Sequence, residues 1–205
     1  MKYLLLDMYG VIIKEAKGNF RQYLTIRKPE SDYSLYRQYY NSASVGLMKT
    51  GDFLNLFGLT DTQQTIHDYI ENFLTFDSDF SIFAERCLCN NISLVLLSND
   101  IAEYSQYIRE YYGIDKYFTL SVISGDVGIR KPEKSIFTLT LSKLDCEPHD
   151  CLFVDDNIGN LITADELGIN TVRFDRESSE INKNTVCSFE ELWKYITIKL
   201  KGSAF

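Results

Sequence analysis

Tyr3-Leu4-Leu5-Leu6-Asp7-Met8-Tyr9-Gly10-Val11 decides how the rest of the chain is read. Tyr3 to Leu6 has the pattern of a short strand covered on both faces, as in the centre of a parallel sheet. The run stops at a carboxylate, followed by a glycine that accepts a turn backbone. An aspartate leaving a buried strand lies where open α/β sheets bind ligands, beyond the carboxyl ends of the strands. By itself Asp7 is equally well read as a strand terminator that caps the next turn. Three later stretches repeat the design and favour the first reading.

The 205 residues suffice for one good core and a smaller second unit. With 45% hydrophobic and 24% charged residues, the composition is that of a soluble globular protein. A net charge of −8 without a basic run argues against a nucleic-acid partner, since phosphate contacts need clustered Lys and Arg. A small anionic substrate needs only local positive charge and remains compatible. No apolar stretch is long enough for a bilayer and no signal-peptide pattern opens the chain. A cytoplasmic protein without a membrane partner is therefore expected. Cys87, Cys89, Cys146, Cys151 and Cys187 form no Cys-x-x-Cys and are read as reduced thiols, mostly core. His67 and His149 have no partner at metal-ligand spacing.

After Val11 and Ile12 a polar turn runs from Lys14 to Gly18. From Asn19 to Thr75 apolar and aromatic residues recur at helical offsets, and Asp61-Thr62-Gln63-Gln64 has the form of a capping box. Three or four helices and no strand are expected there, the tyrosines serving as an aromatic core rather than a stacking surface. From Asp77 strands and helices alternate. Strands are predicted at Ile92–Leu97, Tyr117–Ile123, Cys151–Val154 and Asn170–Phe174. Ser124 to Ile129 reads as a loop, and Pro132 fits the first turn of a helix through Ile136, Leu139 and Leu144. The whole predicts an α/β doubly wound, mainly parallel sheet of five or more strands. The core spans residues 1–13 and 77–205, and residues 14–76 form a small all-helical unit able to fold over the strand ends as a lid.

Those strand ends deliver Asp7, Ser98 and the pair Asp155-Asp156. Ser98 ends a strand before a helix, so its hydroxyl and the next N–H groups can meet an anion at a helix N-terminus; the plain alternative is an N-cap. Lys131 precedes Pro132, which biases its backbone away from the helical region and sets the ammonium before a helix start. There it can neutralise a phosphate and nearby carboxylates; a solvated surface lysine is the alternative. Asp155 and Asp156 repel one another and Asp7, and an oxygen-bound hard cation, Mg²⁺, relieves this. Turn chemistry in Asp-Asp-Asn is the alternative. Together the pieces describe phosphoryl transfer in which Asp7 forms an aspartyl-phosphate that water releases.

Four ordered motifs resemble the haloacid dehalogenase (HAD) superfamily of hydrolases: Asp7-Met8-Tyr9-Gly10-Val11, Leu96-Leu97-Ser98-Asn99, Gly128-Ile129-Arg130-Lys131-Pro132-Glu133 and Phe153-Val154-Asp155-Asp156-Asn157. The resemblance implies a Rossmann-like core with a helical cap at residues 14–76. It implies Asp7 as nucleophile and metal ligand, and Ser98, Asn99 and Lys131 at the phosphate. Asp156, the Tyr9 backbone carbonyl and, through water, Asp155 would complete the Mg²⁺ site. The expected function is hydrolysis of a small phosphorylated metabolite.

One position departs from the pattern. Phosphatases of this family carry a second Asp two residues after the nucleophile, as the acid–base group. Here Tyr9 stands there, in an expected catalytic set of Asp7, Tyr9 and Lys131, and a phenol with pKa near ~10 is a poor base at neutral pH. Tyrosine at this place resembles the metal-free 2-haloacid dehalogenase branch. Val11, Phe137 and the doublet Asp155-Asp156 differ from that branch. Arg37 is read as a surface helical residue rather than as that branch's carboxylate-binding arginine. A catalytically weak relative that binds a phosphorylated ligand or a protein is the further alternative.

Overall fold

The computed structural model describes residues 1–14, 19–177 and 184–202, so most of the expected turn at 14–18 lies outside the described residues. In chain order, β1 (Tyr3–Leu6) and β2 (Ile13–Lys14) precede helices α1 (Phe20–Arg27), α2 (Tyr36–Ala43), α3 (Thr50–Asn55) and α4 (Thr62–Phe73). Next come β3 (Thr75–Phe76), α5 (Asp79–Cys89), β4 (Ser93–Ser98), α6 (Ala102–Tyr112), β5 (Phe118–Ile123), α7 (Ser124–Val127) and α8 (Lys134–Leu144). The chain continues with β6 (Cys151–Asp155), α9 (Ile158–Glu166), β7 (Asn170–Phe174), β8 (Thr185–Val186) and α10 (Phe189–Gly202).

The main sheet has six strands in the order β5-β4-β1-β6-β7-β8, all parallel. β1 is central, with Leu5 opposite Val95 on one side and Phe153 on the other. Its alternation splits the core into two layers. Leu5 packs with Val95, Leu97, Phe137 and Phe153, while Leu4 and Leu6 pack with Leu94, Leu96, Leu152 and Val154. Both faces are covered, as the uninterrupted apolar run requires. None of the described helices is long and apolar enough to cross a membrane.

The segment between β2 and β3 is helical, as expected. α1 starts with a capping box between Asn19 and Gln22, and the Asp61 side chain caps α4 by accepting the Gln64 N–H. Its aromatic residues Phe20, Tyr23, Phe53 and Tyr69 are buried in a core continuous with one face of the sheet. The segment rests on the α/β layer where the Ser124 hydroxyl donates to the Ser44 carbonyl and Thr50 bonds Glu103. Three local expectations differ. β2 and β3 pair antiparallel, Ile13 opposite Phe76, although no strand was expected by Thr75; two residues per strand are too few to show a periodicity. Ser124–Val127 is one helical turn rather than loop. Pro132 precedes α8, which begins at Lys134: the Glu133 N–H bonds the Arg130 carbonyl at 2.9 Å, making Lys131-Pro132 the centre of a turn.

The chain leaves and re-enters the α/β layer at one buried joint. The Asp77 N–H bonds the Ile12 carbonyl at 3.1 Å. Arg176, just after β7, donates to the Gly10 carbonyl at 3.1 Å, to the Val11 carbonyl, and to Asp77 at 2.6 Å. The Arg176→Ala variant is expected to lose about 2–3 kcal/mol in urea unfolding, since a charge-assisted bond goes and buried acceptors are left open. Arg176→Lys should recover only part, because one ammonium does not reproduce the guanidinium fork.

Candidate active site

β4, β1 and β6 are neighbours, so their carboxyl ends bring Ser98, Asp7 and Asp155 side by side. The Asp7 N–H bonds the Val154 carbonyl at 3.0 Å, which carries the sheet register one residue past β1. Between the carboxylates lies the Lys131 ammonium, 2.9 Å from Asp7 Oδ1 and 2.7 Å from Asp155 Oδ2, its side chain only 1% exposed. Asn99 fixes that lysine from behind. Its side-chain oxygen accepts the Lys131 N–H and its amide donates to the Lys131 carbonyl, both at 2.8 Å. Asn99 was expected at the phosphate; its amide is engaged with the Lys131 main chain.

Asp155 is wholly buried and multiply held. Besides Lys131 it accepts from the Asn157 N–H at 2.8 Å and from the Asn160 amide at 3.0 and 3.1 Å. Asp156 faces the open side of the cleft. Asp7, Asp155 and Asp156 each offer an oxygen, and the three oxygens lie within 4.8 Å of one another. Gly10 makes room for this: its φ is +77°, and a Cβ would stand 2.6 Å from Asp156 Oδ2. The Ser98 hydroxyl is buried and has no hydrogen-bond partner among the described residues.

One ammonium does not balance three carboxylates. Burial pushes the Asp7 carboxyl up, Lys131 pulls it down, and the charges of Asp155 and Asp156 raise it again. Asp156 is likewise raised, by burial first and by Asp155 second. Burial alone would lower Lys131, but Asp7 and Asp155 raise it, so the lysine stays charged. An all-oxygen set carrying this excess of negative charge fits a divalent hard cation.

Tyr9 points its phenol at Asp100, donating a 2.9 Å hydrogen bond. Burial, then the Asp100 charge, lifts the Tyr9 phenol well above its ordinary value, so it stays protonated. Asp100 is itself fully buried and pushed up to about 8 by that burial. Asp100 and Asn160 were not foreseen. The signal for Asn160 was its place one helical turn after Asn157 in α9; Asp100 was legible only as part of a helix start.

Asp7, Tyr9, Asn99, Lys131 and Asp156 line one cavity of about 230 Å³, with Ser98 and Asp155 buried behind it. Arg37, read as a surface residue, is exposed but lines a second cavity of about 430 Å³, which Tyr9 also borders.

Fold and strand-end residues together define a Rossmann-like α/β enzyme. The model of the haloacid dehalogenase-like hydrolase family matches residues 1–168, and the chain belongs to that family. In fold it resembles a HAD family enzyme from Bacteroides thetaiotaomicron, with a TM-score of 0.74 at 19% identity over 87% of this chain and 96% of that one. That Bacteroides enzyme has also been solved in complex with magnesium and inorganic phosphate. A HAD phosphatase from Thermococcus onnurineus gives a TM-score of 0.72 at 22% identity, covering 96% and 98%. In sequence, (S)-2-haloacid dehalogenase 4A of Burkholderia cepacia is 28% identical over 117 residues, 54% of this chain and 51% of that protein. Phosphoserine phosphatase of Thermus thermophilus is 30% identical over 86 residues, 42% and 34% of the two chains. The chain spans about half or less of the length of these curated relatives.

Removing the ammonium leaves two buried carboxylates facing each other. The Lys131→Met variant is therefore expected to lose about 3–5 kcal/mol in urea unfolding with EDTA present.

Proposed function

We propose that this protein is a Mg²⁺-dependent phosphatase of a small phosphorylated metabolite, acting through an aspartyl-phosphate on Asp7. The observation that carries this reading is the trio of carboxylate oxygens within 4.8 Å, set against a buried ammonium. Asp7, Asp156 and the Tyr9 backbone carbonyl would hold the ion, with Asp155 beside them. When bound, Mg²⁺ supplies charge neutralisation that lets a phosphate approach a carboxylate.

The chain's own groups do the rest. Lys131 and the Ser98 hydroxyl bind the non-bridging phosphate oxygens. An Asp7 carboxylate oxygen attacks phosphorus, and the bond from phosphorus to the ester oxygen breaks. Water then attacks the phosphorus of the aspartyl-phosphate, freeing inorganic phosphate and the Asp7 carboxylate. Tyr9 stays protonated and hydrogen-bonded to Asp100, so the leaving oxygen takes its proton from solvent. Residues 14–76 serve as the cap over this cleft. The Tyr9–Asp100 bond also favours a second reading, a relative that binds a phosphorylated ligand with little turnover.

Phosphate release from a panel of phosphorylated metabolites, measured across Mg²⁺ concentrations, is expected to depend on the ion and to vanish in Asp7→Asn. Binding of a phosphorylated ligand with no release would establish the second reading. Halide release from 2-haloacids without metal would replace both with a dehalogenase. Independently of turnover, millimolar Mg²⁺ should raise the melting temperature of the wild type and have much less effect on Asp156→Asn. Tyr9→Asp is expected to speed hydrolysis of alkyl phosphates by up to about 10²-fold, since it restores a side-chain acid; an unchanged rate would count against this account of Tyr9.

A further inference from the structure

Eight arginines occur in the chain, and five hold a carboxylate: Arg27 with Asp68, Arg86 with Glu190, Arg109 with Asp115, Arg173 with Asp175 and Arg176 with Asp77. The other three, Arg21 on α1, Arg37 on α2 and Arg130 beside Lys131, have no carboxylate partner among the described residues. All three line the same cavity of about 430 Å³. In a chain of net charge −8, gathering these three guanidiniums, none with a carboxylate partner among the described residues, in one hollow makes a local anion site.

The walls add shape. Tyr36 and Tyr40 are stacked with ring centroids 5.7 Å apart, and the Arg21 guanidinium lies 6.0 Å from the Tyr36 ring centroid. Flat rings and a cation on a ring suit a planar aromatic ligand. Arg130 is oriented by the Asn41 side-chain oxygen at 2.5 Å and keeps further N–H groups for a ligand. Tyr9 borders both this cavity and the one holding Asp7 and Lys131. A molecule with its phosphate at Asp7 therefore has this hollow next to it.

We propose that the cavity of Arg21, Arg37 and Arg130 binds the remote end of the substrate, and that the substrate is an aryl or heteroaryl phosphate carrying a second anionic group, a carboxylate or phosphate. This rests on the reading that the phosphoryl group sits at Asp7. An independent observation points the same way. The Tyr9 hydroxyl is committed to Asp100 at 2.9 Å and is not aimed at a leaving oxygen, and a phenolate, with a conjugate acid near ~10, leaves without a donated proton far more readily than an alkoxide.

The test is equilibrium binding by calorimetry to full-length Asp7→Asn protein with Mg²⁺. Phenyl phosphate is compared with phenyl phosphates carrying a para carboxyl directly or through one or two methylenes, and with 1,4-phenylene bisphosphate. At least one doubly anionic ligand is expected to bind about tenfold tighter than phenyl phosphate, the worth of one charge-assisted contact. That advantage should fall below about twofold in a variant carrying both Arg21→Gln and Arg37→Gln, and persist in part in Arg37→Lys. Absence of binding, equal binding across the series, or an advantage that survives the double substitution would overturn the proposal. Turnover by the wild type separates the two readings. Phosphate release without preference for the second anion removes only this one; anion-dependent binding without any release removes the phosphatase.

Discussion

A lysine ammonium taken out of water and held between two carboxylates is the constraint on which this structure turns. Isolated, such a charge would be costly to bury; here Asp7 and Asp155 compensate it at 2.9 and 2.7 Å. The geometry has to be maintained from every side. Strand register places the two aspartates, Asn160 and the Asn157 N–H hold Asp155, and Asn99 grips the main chain of Lys131. These supports come from β1, β6, the start of α9 and the residue after β4, so the sheet order itself is what keeps the charges paired. The balance is incomplete by design of the residues present: Asp156 adds a third carboxylate that the lysine does not reach. Burial first, and then the leftover charge, raises Asp7 and Asp156, and that excess of negative charge makes the cleft receptive to a cation.

How much of this was legible in the sequence follows from where the information resides. Asp7, Ser98, Lys131 and the Asp155-Asp156 pair each sit at a strand end or helix start, and an apolar run followed by a polar residue is a local signal. A parallel sheet then brings such ends together without further instruction. Arg176 carries no such signal. It acts on Gly10 and Asp77, 166 and 99 residues away, and nothing in Phe174-Asp175-Arg176 announces that reach. Likewise β8 has two residues and pairs only because β7 offers an edge. The tyrosines of the helical segment differ in what they face. Tyr23 is core, while Tyr36, Tyr40 and the buried Tyr69 also wall a cavity. Periodicity places a ring on a helix face but does not say whether the space opposite is filled.

Tyr9 shows how one position can change two properties at once. Its backbone sits on the turn after Asp7, where the carbonyl is unaffected by the side chain. Its ring reaches away to Asp100, with which it forms a partly buried hydrogen bond. An aspartate at this position would be a short, titratable group over the cleft. The tyrosine is instead a phenol held protonated by its burial, and it borders both cavities.

That exchange has a chemical consequence for any ester bound at Asp7. A site with an acid can expel an alkoxide, because the proton arrives as the bond breaks. A site without one favours leaving groups that are stable as anions, and stabilises them by placement rather than by proton transfer. Stacked rings and guanidiniums in the cavity that Tyr9 borders are groups that hold a planar anion well. On the proposed reading, a site with tyrosine at position 9 relies less on proton transfer at the leaving oxygen and more on recognition of what leaves.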